Sequence, residues 1–121
     1  MKKLIIAATT MFFAACAPDF PALSPDEFAE AIRQPDLLLV DVRTPEEYAE
    51  GHIEGALNIN WRDTAFAQQA AEQLDKTKTI ALYCKAGRRS HAAAGKLHTM
   101  GFDRIVELKG GYDAWKTNNE N

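Results

Sequence analysis

The chain has 121 residues, enough for one domain with a modest core. Its formal charge of −3 at pH 7 argues against nonspecific binding to nucleic acid. Two cysteines and three histidines, with no C-x-x-C and no spacing that offers three or four ligands, exclude a dithiol redox pair and a zinc site.

In chain order, Met1-Lys2-Lys3 followed by the apolar stretch Leu4–Ala15 has the layout of a secretory signal. It is too short for a membrane span, which needs roughly 20 apolar residues. Phe13-Ala14-Ala15-Cys16 resembles a bacterial lipoprotein processing box, with Phe where Leu is usual. That resemblance implies that residues 1–15 are removed and that Cys16 carries a lipid. The protein is then expected on the periplasmic side of a bacterial membrane, the outer membrane being favoured because Ala17 rather than Asp follows the cysteine. Residues 16–23, with Pro18 and Pro21, read as a tether. With Cys16 acylated, Cys84 is left as a lone thiol in an oxidising compartment, which calls for a chemical reason.

Ser24-Pro25-Asp26-Glu27 is a helix start with an N-cap, a first-turn proline and a capping-box glutamate. Leu37–Val40 runs apolar into Asp41-Val42-Arg43, as expected of a strand buried on both faces. Thr44-Pro45 begins a second helix, Ala56–Asn60 forms a short strand, and Trp61–Leu74 reads as a helix with Phe66, Ala70 and Leu74 four apart. Thr79–Tyr83 is a strand, Ser90–Met100 a helix stopped at Gly101, Ile105–Leu108 a strand and Tyr112–Lys116 a last helical segment, with residues 118–121 expected to fray. This alternation predicts an α/β domain over residues 24–117, with a small, mostly parallel sheet flanked by helices.

Cys84 falls between a strand end and a helix start, where ligands of such sheets bind. Lys85, Arg88, Arg89 and the unpaired amides of the helix start all favour an anion there, so the cysteine is expected to serve as a thiolate nucleophile. Gly87 permits the backbone to curl with positive φ, and the amides of residues 85–89 are expected to converge on the sulfur. His52 reads as a hydrogen-bonding turn residue and His91 and His98 as exposed. Phe102 and Trp115 read as core, while Trp61 is a candidate for a pocket mouth.

Taken with Asp41-Val42-Arg43, Gly51-His52-Ile53-Glu54-Gly55-Ala56, Cys84-Lys85-Ala86-Gly87-Arg88-Arg89-Ser90 and Gly110-Gly111-Tyr112-Asp113-Ala114-Trp115, the chain resembles the single-domain rhodaneses, small sulfurtransferases. Asn60, where that family often has proline, is a departure confined to a connection. The resemblance implies a rhodanese-like fold and a ping-pong reaction without cofactor or metal. Cys84 takes the outer sulfur of a small anionic donor such as thiosulfate as a persulfide and passes it to cyanide or a thiol. It further implies substrate binding by Lys85, Ala86, Gly87, Arg88 and Arg89, and support of the loop by Asp41, Arg43 and Ser90. A monomer is the expected state. The alternatives are a noncatalytic persulfide carrier and a cysteine phosphatase or arsenate reductase. The latter families place five residues between cysteine and arginine, where here four precede Arg89.

Overall fold

A computed structural model describes residues 19–120, so the signal-type segment, Cys16 and Ala17 lie outside the described residues. Five strands, β1 (Ala22–Leu23), β2 (Leu37–Asp41), β3 (Leu57–Asn58), β4 (Thr79–Tyr83) and β5 (Ile105–Leu108), form one sheet in the order β1-β5-β4-β2-β3. Every pairing is parallel. Parallel neighbours need crossovers, and helices α1 (Pro25–Ala31), α2 (Pro45–Glu50), α3 (Phe66–Gln73), α4 (Arg88–Thr99) and α5 (Gly111–Glu120) supply the helical cover.

Strand alternation sorts the core into two layers. Val40, Ile80, Leu82, Cys84 and Ile105 pack with Phe66 and Ala70 of α3 and Ala93, Ala94 and Leu97 of α4. Leu39, Ala81, Tyr83 and Leu108 pack with Phe28 of α1, and Tyr48, Tyr112 and Trp115 join from α2 and α5. The register sets Asp41 beside Tyr83, so the carboxyl ends of the two central strands lie together. Both short helices open on complete capping boxes, Ser24 with Glu27 and Thr44 with Glu47, which satisfy orphan amides that tertiary contacts do not reach.

Four boundaries differ from the sequence reading. Ala22–Leu23 is not tether but an edge strand in register with Glu107 and Leu108. Helix α3 begins at Phe66 rather than Trp61, because Asn60 and Asp63 side chains accept the Arg62 and Ala65 amides and hold turns there. Helix α4 begins at Arg88, with Gly87 as its N-cap, so both arginines of the loop stand in its first turn. Helix α5 continues to Glu120 instead of fraying, and Asn118 Nδ2 donates to Asp26 Oδ1 of α1 at 3.0 Å.

Candidate active site

Strand β4 carries Cys84 inward with Ile80 and Leu82, leaving the residue only 1% exposed. The chain then reverses at Gly87, whose φ of 114° lies in the left-handed region that glycine tolerates best. That conformation aims the Gly87 amide at Sγ, 3.1 Å away. Of the loop amides expected to converge on the sulfur, this is the one that reaches it among the described residues. Ser90, fully buried in the first turn of α4, places Oγ 3.6 Å from Sγ.

The other side of the loop is fixed by α5. The amides of Tyr112 and Asp113 donate to the carbonyls of Cys84 and Lys85 at 2.8 and 3.0 Å, so the unpaired donors of one helix start hold the backbone that presents the thiol. This close approach is why Gly111 is required: a Cβ there would lie 2.4 Å from the Lys85 carbonyl oxygen.

The loop cations are differently placed from one another. Arg89 forms a two-pronged pair with Glu47, at 2.7 and 3.0 Å, in a half-buried position. The guanidinium holds the Glu47 carboxyl down to about 2, with help from the Thr44 amide and hydroxyl, and the same pairing raises Arg89. Lys85 extends to Asp113, 2.9 Å away at the surface. Arg88 is exposed and has no ion pair among the described residues, and Ala86 is exposed beside it. Lys85 and Arg89 thus bind protein carboxylates, and Arg88 keeps its charge free.

Asp41 and Arg43 form a buried pair with a 2.7 Å contact, and Asp41 also accepts the Arg43 amide. Arg43 donates to the Gly51 carbonyl at 2.7 Å and lies 4.3 Å over the Tyr112 ring, bracing the residue whose amide holds Cys84. Tyr83 is fully buried, its hydroxyl accepts the Ile53 amide at 3.0 Å, and burial pushes its ionisation upward. His52 stacks on Tyr48 and bonds its carbonyl. His98 is exposed; Phe102 is core, and Trp115 packs edge-on against Phe28. Trp61 lies against Phe66 and lines a shallow hollow with Lys96. A separate cleft of about 250 Å³ beside the loop is lined by Arg43, Glu47, Lys85, Tyr112 and Asp113.

Three acids around the loop escape sequence reasoning as site residues: Glu47, Asp113 and Glu107. Glu47 is visible as a capping residue, but its bond to Arg89 spans 42 positions. Glu107 carries the clearest signal, a charge at a core-facing position of an otherwise apolar strand. It accepts from Ser90 Oγ at 3.3 Å and contacts His91 Nδ1 at 3.0 Å. Among the described residues no cluster of three His, Cys, Asp or Glu side chains could hold a metal ion.

Residues 24–118 match the family model of the rhodanese-like domain. The thiosulfate sulfurtransferase GlpE of Pseudomonas fluorescens is 37% identical over 93 residues, covering 77% of this chain and 83% of that protein. A protein named sulfurtransferase from Allochromatium vinosum is 36% identical over 80 residues, 66% of this chain and 72% of its own. Among solved structures, the rhodanese-like domain of an Anabaena protein superposes with a TM-score of 0.73 at 29% identity, covering 81% of this chain and 74% of that one. A rhodanese-related protein of Thermoplasma volcanium gives 0.70 at 27%, over 82% and 93% of the two chains. With a five-stranded parallel sheet, a cysteine at the end of its central strand and this kinship over most of its length, the chain belongs to the rhodanese-like domain family.

Proposed function

We propose that this rhodanese-type sulfurtransferase takes a sulfane sulfur from thiosulfate or a related small anion and holds it on Cys84 as a persulfide before delivery to cyanide or a thiol. The observation that carries the reading is the Gly87 amide directed at Sγ from 3.1 Å at the start of α4. An amide donor and a helix start both favour negative charge at sulfur, in the attacking thiolate and again in the Cys84 thiolate that leaves when the persulfide is discharged. In the first half-reaction the thiolate attacks the outer sulfur, the S–S bond of thiosulfate breaks, and sulfite leaves with the bonding pair. In the second, the acceptor attacks the outer persulfide sulfur and Cys84 leaves as thiolate. No electrons are exchanged with a cofactor. Cys84 is the free cysteine among the described residues, in keeping with a single-thiol cycle. Arg88 is the loop cation available to attract an anionic donor, while Lys85 and Arg89 shape the loop through their carboxylate partners.

Intact-mass spectrometry before and after thiosulfate tests this. The wild type should gain about 32 Da, one sulfur, and lose it to cyanide, with Cys84→Ser gaining nothing. A sulfur adduct of equal yield on Cys84→Ser refutes the mechanism. For the amino-terminal segment we propose export and acylation of Cys16 with attachment to the periplasmic side of the membrane, supported by the sequence pattern of residues 1–16.

A further inference from the structure

Strand alternation gives Glu107 the core-facing position that follows Ile105, against α4, where an apolar residue would be expected. Its side chain is only 7% exposed, and a buried carboxylate is costly unless its oxygens are engaged. Its neighbours in register, Leu82 on β4 and Ala22 on β1, carry no ionisable group. Its side-chain partners among the described residues are successive residues of α4: Ser90 Oγ at 3.3 Å on one oxygen and His91 Nδ1 at 3.0 Å on the other. Ser90 in turn reaches Cys84 Sγ at 3.6 Å. A continuous polar chain therefore runs from the buried sulfur through Ser90 and Glu107 to an imidazole that is 63% exposed.

The Ser90 hydroxyl accepts from the Cys84 thiol and has one proton for two acceptors, the Gly87 carbonyl at 3.1 Å and Glu107 Oε1 at 3.3 Å; once the thiol is ionised, Sγ becomes a third. It can serve the carboxylate or the sulfur anion, not both. We propose that Glu107 and His91 are positioning residues for Cys84: they decide, through Ser90, whether the sulfur anion receives a hydroxyl hydrogen bond beside the one from Gly87. With His91 neutral, the Glu107 carboxylate draws the Ser90 proton and its own charge opposes a second anion nearby. With His91 protonated, the imidazolium balances the carboxylate and the hydroxyl is released to sulfur. The outer end of the chain is open to solvent and so to proton exchange. Other groups facing this chain are few. Arg89 of α4 interacts with Cys84 but is held by Glu47 of α2. Lys85 is paired with Asp113 of α5. Arg88 stands exposed one turn before His91, and the Phe20 ring lies 6.2 Å from the imidazole.

The proposal rests on Cys84 being the nucleophile, and its test needs no sulfur donor. Iodoacetamide labelling of Cys84 in the full chain, resolved from Cys16 by peptide mass spectrometry, is followed from pH 5 to pH 9 for wild type, His91→Asn, Glu107→Gln and the double variant. At pH 6, His91→Asn should slow Cys84 labelling about threefold to tenfold, and Glu107→Gln should speed it, as expected for coupled neighbouring charges. In the Glu107→Gln background the His91 effect should vanish. An equal His91 effect in both backgrounds, or an unmoved profile in folded Glu107→Gln, overturns the proposal. Should Glu107→Gln not fold, Ser90→Ala takes its place: the His91 effect must vanish there too, and its persistence overturns the linkage. The expected labelling pattern alongside absent sulfur transfer would count against the proposed substrates alone.

Discussion

Replacing Glu47 by glutamine removes one charge from the Arg89 pair while keeping a side chain of similar shape. Both partners are less than a third exposed, at 26% and 15%, so solvent weakens the pair only partly. The Glu47 carboxyl is held at about 2 in the folded chain against an ordinary 4.5. Because folding lowers the value, the stabilisation is fully present above pH 4.5 and is lost as pH falls towards 2. The difference is worth on the order of 3 kcal/mol at neutral pH, and linkage reduces it to about 1.5 kcal/mol at pH 3. Glutamine still accepts from Arg89 and from the Thr44 amide, so the measured loss at pH 7 should be nearer 2 kcal/mol. Urea denaturation followed by the fluorescence of Trp61 and Trp115 gives both stabilities, and the wild type minus variant difference cancels the other carboxylates. Because glutamine does not titrate, the gap between the two proteins should shrink by about 1.5–2 kcal/mol from pH 7 to pH 3, leaving little of it at the lower pH. A gap that stays constant with pH, or one below about 0.5 kcal/mol at pH 7, would mean that the Arg89 pair is a surface contact of little energetic weight.

Gly111→Ala should displace the Cys84–Lys85 backbone, since its Cβ has no room beside the Lys85 carbonyl and the backbone φ of 65° is strained for alanine. Sulfur transfer should fall at least tenfold and the thermal midpoint should drop; an active variant with an unchanged midpoint would show that the α5 clamp is dispensable. Tyr83→Phe leaves the buried Ile53 amide without its acceptor and should cost about 1–3 kcal/mol in urea denaturation, with a cost near zero arguing against the bond. Arg88→Ala should raise the KM for thiosulfate more than it lowers kcat, and steepening salt should erase the difference from wild type; a salt-independent loss of kcat would instead assign Arg88 to the chemical step. Palmitate labelling in a bacterial host should be lost in Cys16→Ala, and equal labelling of both proteins would rule out acylation at that residue.

The local rules written in the chain carried far. Two Ser/Thr-x-x-Glu boxes with first-turn prolines located α1 and α2, and uninterrupted apolar runs located β2, β4 and β5, because those signals depend on residues a few positions apart. The position of Cys84 at a strand–helix junction was legible for the same reason, and with it the anion-favouring character of the loop. Errors fell where side chains compete locally with helix formation, as at Asn60 and Asp63, or where distant chain completes an element, as when β5 recruits Ala22–Leu23 and α1 steadies Asn118. Only the tertiary structure decided the allocation of the charges. By charge and spacing along the chain alone, Lys85, Arg88 and Arg89 are three cations around a cysteine with no partners assigned. Folding gives Lys85 to Asp113 and Arg89 to Glu47, and it brings Glu107 from the next strand beneath Ser90. The sequence determined where Cys84 stands, since that follows from neighbours along the chain; which charges act on it follows from Coulomb interactions through space, between residues that parallel strand pairing brings together from far apart in the chain.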